Sequence, residues 1–330
     1  MTSPSEESAL LIELRALAER GRHRDVLSRL QGLPADTLER RTPYALLAAE
    51  AHGRLGAYAE AERWAQAAHV IARARGERHA ELRARNYQGA IALERGDVDA
   101  AELHVAAALD LARLLDDPAA QARCFNNLGI IANLQGNPGA ALASYHLALA
   151  AYQQAGLARG MAETEHNIGI SWRDLGDYAR ALVAAEEAVR LAEQQVRDDA
   201  LSAQAIAGRA ELHLLQGDTE LAAAELGRAA AAYERLQHPV GLAEVWRLQA
   251  GVARARGDLA VAAALLSRAA ALARGQGSAH TRAEIERDLG VALAASGDHA
   301  GARAARERAA ALFRRLGATK AAGEIAALIT

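Results

Sequence analysis

The chain has 330 residues and a formal net charge of −3, with 51% hydrophobic but only 4% aromatic residues. That balance, rich in alanine, leucine, glutamate and arginine, is the composition of an all-helical protein. The small net charge excludes long-range attraction to nucleic acid or a membrane surface, and the lone Cys124 excludes an internal disulfide framework and a cysteine-based zinc cluster.

In chain order, the N-terminal stretch MTSPSEESALLIEL lacks a basic segment followed by a long apolar one, so a cytoplasmic location is expected. No run of eighteen apolar residues follows, and no membrane span is predicted. A short degenerate unit over residues 5–42 turns at Gly21. Beyond it a glycine recurs with a regular period, at Gly56, Gly96, Gly136, Gly176, Gly217, Gly257 and Gly297. The intervals are 40 residues except for 41 between Gly176 and Gly217. Aspartate or asparagine follows six of these glycines, and Ala57 follows the first.

With each glycine as position zero, +5 is always alanine (Ala61, Ala101, Ala141, Ala181, Ala222, Ala262, Ala302), and so is +12 (Ala68, Ala108, Ala148, Ala188, Ala229, Ala269, Ala309). Position −7 is always alanine or glycine, as at Ala49, Gly89, Gly129 and Gly169. A second break falls near +20, at Gly76, Asp116-Asp117-Pro118, Gly156, Asp198-Asp199, His238-Pro239, Gly277-Ser278 and Gly317. Each period therefore predicts two helices of about four to five turns. The glycine ends the first in a left-handed conformation and the next residue caps the second. Small residues at −7, +5 and +12 let the helix backbones approach closely.

The spacing small-x6-Gly-[Asp/Asn]-x3-Ala-x6-Ala, as in LGIIANLQGNPGAALASYHLALA, resembles the tetratricopeptide repeat over residues 43–330. The period of 40 departs from the family's 34, and the proline that usually ends the second helix is missing. Arrays of longer period are similar to those of kinesin light chains, spindle-orientation adaptors and bacterial peptide-sensing or signal-transducing regulators. The resemblance implies a single domain, a right-handed α-solenoid of antiparallel helix pairs. Seven repeats would span 43–316, and a capping helix over 319–330 would cover the last apolar face.

Chemistry is sparse. No phosphate loop or H-E-x-x-H motif occurs, the eleven histidines are scattered, and neither a metal, a cofactor nor an enzymatic activity is expected. Cys124 reads as a packed thiol and Glu186-Glu187 as a solvated face. Trp172 and Trp246 fall at packing positions of the first helix.

The opposite arc of that helix, at −13, −9, −6 and −2 with −10 and −3 on its edges, lines the concave groove in arrays of this kind. Position −9 resembles the family's groove asparagine, which bonds a bound peptide's backbone. Repeat two places Arg83, Asn86 and Tyr87 on this arc. Repeat three adds Arg123, Asn126, Asn127 and Asn133, and repeat four adds His166, Asn167 and Arg173. These ten are the candidate peptide-binding residues, with Asn127 and Asn167 as an amide ladder one repeat apart. Arg83, Arg123 and Arg173 imply a protein or peptide partner with acidic character. The same amides could instead be solvated or bond across neighbouring helices, and the arginines could pair with adjacent acids. Repeats six and seven offer Glu244, Arg247, Leu248, Arg254, Glu284, Arg287, Asp288 and Val291, an end that reads as mutually paired and less specific. The function that follows is an interaction scaffold binding a peptide segment of a partner in its groove. The alternative is a ligand- or peptide-sensing regulatory module that controls a separate effector.

Overall fold

In the computed structural model, which describes residues 4–34, 41–274 and 278–329, the described residues form helices joined by short turns, with no strand. Helices α1 (Pro4–Glu19) and α2 (His23–Gln31) make the N-terminal unit around Gly21. The repeats then follow as α3/α4 (Thr42–Arg54, Tyr58–Arg75), α5/α6 (Arg78–Arg95, Val98–Leu114), α7/α8 (Pro118–Leu134, Pro138–Ala155) and α9/α10 (Ala158–Asp174, Tyr178–Arg190). The last three pairs are α11/α12 (Asp199–Leu215, Thr219–Arg235), α13/α14 (Pro239–Ala255, Leu259–Ala273) and α15/α16 (Ala279–Ala295, His299–Arg315), and α17 (Thr319–Ala326) ends the array. Residues 35–40 and 330, within the expected N-terminal unit and capping helix, lie outside the described residues, as does Gly277 of one expected turn.

The repeat columns act as their chemistry dictates. Every glycine of the main column has φ between 76° and 88°, a region closed to most side chains. Asp97, Asn137, Asp177, Asp218 and Asp298 accept a backbone N–H three residues on, capping the helices that follow. Asp258 occupies the same place without making that bond. All the alanines at +5 and +12 are at most 1% exposed, so both columns are packing surfaces. At −7, a Cβ on Gly129 would sit 2.3 Å from the Tyr145 ring, and one on Gly89 would sit 2.5 Å from Val105. The missing side chain at −7 is what seats the first helix of a pair on the second.

At the second break, Gly76, Gly156 and Gly317 take positive φ, and where glycine is absent Asp116, Arg197 and Gln237 adopt it instead (φ 49–56°). The 41-residue interval has a local cause. After α10 the chain makes one π-helical turn, Leu191–Val196, which absorbs the extra residue before Arg197 closes the helix. Leu191 and Ala192 stay fully buried, so the insertion is accommodated without loss of core.

Successive superhelical turns touch. The glycine turn ending the first helix of one unit meets the start of the first helix about five units later. Gly21 approaches Asp198 so closely that a Cβ would lie 2.9 Å from its Oδ2, and Arg159 bonds both Asp198 (2.5 Å) and the Glu19 carbonyl (3.3 Å). Arg24 donates to the Gln237 carbonyl (2.7 Å). His238 accepts the Gly241 N–H on Nδ1, which leaves Nε2–H to donate to the Arg54 carbonyl at 3.3 Å. Gly96 lies against Ala279 and Leu316, Arg315 donates to the Arg95 carbonyl (3.1 Å), and Leu134 packs on the cluster around Phe313 and Leu316. This seam joins the turns into a continuous wall around the concave face.

Candidate functional site

The concave wall is built from the first helix of each pair, because the alanine columns and the −7 glycines fix which face turns toward the neighbouring helices. The ten candidate residues all sit on these helices, but the structure distributes them in three ways.

Asn86 and Asn126 are buried at 8% exposure, and each accepts on Oδ1 from the −9 asparagine of the following repeat. Asn127 Nδ2 donates to Asn86 at 3.1 Å, and Asn167 Nδ2 donates to Asn126 at 3.2 Å. Thr164 and Cys124 approach the same oxygens, the Thr164 hydroxyl donating to Asn126 at 3.1 Å and to its own Gly160 carbonyl at 2.7 Å. Asn133 accepts from the Ser171 hydroxyl at 3.1 Å. The amide ladder exists, and its rungs run between repeats. Position −10 lies on the edge of the arc, so its side chain leans toward the adjacent helix, where burial demands a partner. Asn127 and Asn167 are half-buried, and each has one N–H and the carbonyl oxygen beyond the rung.

Tyr87 donates to Glu50 at 2.7 Å, and the Arg83 guanidinium lies beside the Tyr87 phenol. Burial, with the Glu50 carboxylate, pushes the Tyr87 hydroxyl well above its ordinary range. Arg173, read from sequence as a contact for an acidic partner, is instead engaged internally. It pairs with Glu211 (2.5 Å) and Asp174 (2.9 Å), and its side chain is 18% exposed. Arg123 makes no ion pair among the described residues. His166 rests against Gly208, where a Cβ would come within 2.7 Å of its ring, and burial lowers its pKa to about 4. It is a neutral imidazole at pH 7.

Repeats five to seven carry a different wall. Arg247, with a side chain only 5% exposed, is ringed by Glu244 (2.6 Å), Glu211 (3.1 Å), Asp288 (3.1 Å) and Glu284 (3.4 Å). Arg287 pairs with Asp288 and Glu284 at 2.9 and 3.5 Å. Desolvation alone would raise the Glu284 carboxyl, but the guanidinium of Arg247 holds it well below the ordinary carboxylate range. Glu244 shifts upward, because burial and the neighbouring Glu284 and Glu211 outweigh its arginine. The pairing expected in repeats six and seven is present except at Arg254, whose side chain makes no ion pair among the described residues, and it extends to Glu211 and Arg173. Glu211 at −6 escaped the sequence reading, as did Glu50 and Arg54 of repeat one, although all three occupy positions of the same arc. Arg54 reaches Glu163 of repeat four at 3.0 Å.

The remaining single residues are accounted for by packing. Cys124 is fully buried, and desolvation raises its thiol to about 12. Trp172 and Trp246 are half-buried on the core, with the guanidiniums of Arg180 and Arg268 stacked over them at 4.5 and 4.3 Å. Among the described residues no group of three or more His, Cys, Asp or Glu is placed to hold a metal, and no helix is long and apolar enough to cross a membrane.

No protein-family model matches the sequence, and no curated protein does. Solved structures do resemble it. A Rap protein complexed with competence and sporulation factor superposes with a TM-score of 0.64 at 17% identity, covering 92% of this chain and 80% of that one. BtubC (BKLC) from P. vanneervenii gives 0.48 at 18% identity over 65% of this chain and 90% of that one. A kinesin light chain protein of Podosopora anserina with nearly identical TPR-like repeats gives 0.42 at 17% over 59% and 95%. By fold, then, this chain is a tetratricopeptide-type α-solenoid.

Proposed function

We propose that the chain is a protein-interaction module that takes a peptide segment against the concave wall of repeats two to four. The observation that carries this reading is the amide ladder. Each rung fixes the orientation of Asn127 or Asn167 and leaves a carbonyl and an N–H free at matching places one repeat apart. Groups held in this way lose little entropy on meeting a ligand, and a backbone amide needs one donor and one acceptor together. Arg123, unpaired on the same arc, supplies a positive site for an acidic residue or a C-terminal carboxylate. Arg83, equivalent to Arg123 one repeat earlier, and Tyr87 stand on the same arc in repeat two, and His166 offers a neutral ring on it in repeat four. Asn86, Asn126 and Asn133 contribute by holding the ladder, and Arg173 by holding the far wall.

A regulatory version of this role, in which peptide capture alters the superhelix and so controls a separate effector, is favoured by one observation. The Rap protein that shares the fold over most of this chain was solved with competence and sporulation factor bound. Both versions require peptide capture. Panning a random peptide library against the intact chain tests it. Enriched peptides should bind the Asn127→Ala/Asn167→Ala double variant at least tenfold more weakly, with helicity unchanged. Equal binding by the variant would overturn the reading.

A further inference from the structure

Where the second superhelical turn settles on the first, the seam leaves a cleft. One side is the Gly56–Glu60 turn with Glu94 and Arg95, and the other is formed by Arg274, Ala279, Arg282 and Arg315. Its acids are already engaged. Glu60 pairs with Arg63 at 2.7 Å, and Glu94 accepts from the Tyr58 hydroxyl at 3.2 Å. Arg95 is spent on Glu62. Arg315 uses one N–H on the Arg95 carbonyl, while the side chains of Arg274 and Arg282 have no hydrogen-bond or ion-pair partner among the described residues. Two guanidiniums therefore face the cleft with nothing to neutralise them, and a third faces it with donors to spare.

The opposite side adds donors. Helix α4 starts at Tyr58 on Ala57, which has no side-chain oxygen and makes no cap. Every other repeat has aspartate or asparagine at that position. Among the second helices of the seven repeats, the one start left uncapped by its residue type is thus the one that faces the arginines of the last repeats across the seam.

We propose that this cleft binds a phosphate group, with Arg274, Arg282 and Arg315 of the later turn and the first-turn amides of α4 from the earlier turn closing on it. With Arg95 taken by Glu62 and Glu60 by Arg63, three arginines of the cleft face one glutamate, an excess of two that matches a phosphate dianion better than a carboxylate. Planar guanidiniums also suit its paired oxygens. Because the donors come from both turns, an occupied site ties the turns together. The phosphate could be free or carried on a larger molecule, and the recognising chemistry is the same.

Titration calorimetry on the intact chain at low ionic strength tests the assignment with inorganic phosphate, phosphoserine and acetate as probes. Inorganic phosphate should bind saturably and acetate at least tenfold more weakly. Phosphoserine binding as tightly as inorganic phosphate would place the group on a carrier, and weaker phosphoserine binding would favour the free anion. Arg274→Gln/Arg282→Gln should reduce phosphate affinity at least tenfold without changing the circular dichroism. Ala57→Asp places a carboxylate on the same amides, so it should weaken phosphate binding while leaving the melting temperature unchanged or higher. Absent saturation, acetate binding as tightly as phosphate, or full affinity in both variants would each overturn the proposal.

Discussion

Repeats two to four and repeats five to seven turn the same arc of their first helices toward the concave wall, yet one stretch carries neutral amides and the other carries charges. In the first, Asn127 and Asn167 each spend one hydrogen on the asparagine of the preceding repeat and keep the rest of the amide. In the second, the carboxylates around Arg247 all face guanidiniums, and the network links repeats four, five, six and seven. Neutral amides can exchange a water for a ligand at little cost, whereas a buried ion network is expensive to open. The same scaffold position therefore serves exchange in one half and cohesion in the other.

That contrast can be broken most forcefully at Arg247. Replacing it with leucine leaves Glu244 without a guanidinium and leaves Glu211, Glu284 and Asp288 with only Arg173 or Arg287, and chemical denaturation should show a loss of about 3–5 kcal/mol. A loss under about 1 kcal/mol would mean that the network is solvated and does not hold the repeats. Gly129→Ala probes the packing beneath the amide half. The new methyl meets the buried Tyr145 ring and should cost roughly 1–3 kcal/mol. The equivalent change at Gly169, where a Cβ comes no nearer than 3.3 Å to Ala181, should cost clearly less in the same thermal melts. Asn126→Ala removes the shared acceptor of Thr164 and Asn167 and should cost about 1–2 kcal/mol. A double-mutant cycle with Asn167→Ala should then return a coupling of the order of 0.5–1 kcal/mol.

A further contrast concerns protons. His23 and His166 are neutral in the fold, with pKa values lowered to about 4 chiefly by burial, against an ordinary 6.5. A base whose folded pKa is depressed binds more protons when unfolded, so its contribution is fully present above pH 6.5 and is lost as pH falls from 6.5 to 4. Melting temperature should decline across that window, and less steeply in a His23→Gln/His166→Gln variant. Identical slopes would place both imidazoles in solvent.

The repeat was legible because its determinants are local. Gly136-Asn137 stops one helix and caps the next within two residues, and the alanine columns follow directly from the buried stripe. The 41-residue interval marked where the register changes, although the π turn that absorbs it depends on keeping Leu191 and Ala192 in the core. The amide ladder was half legible. Spacing placed Asn127 and Asn167 on the groove arc, but it could not show that the −10 asparagines would meet them from the preceding repeat. The seam was not legible at all, because Arg54 and His238 lie 184 residues apart and nothing in the period of either segment refers to the other. Superhelical pitch sums small rotations over every repeat, and only the assembled array fixes it.

The most direct measurement is amide hydrogen exchange on the intact chain with and without a peptide enriched by panning. Capture on the amide wall predicts added protection concentrated in α5, α7 and α9, with little change in α8 and α10 on the convex side. Protection confined to the convex helices, or no difference at saturating peptide, would contradict the account.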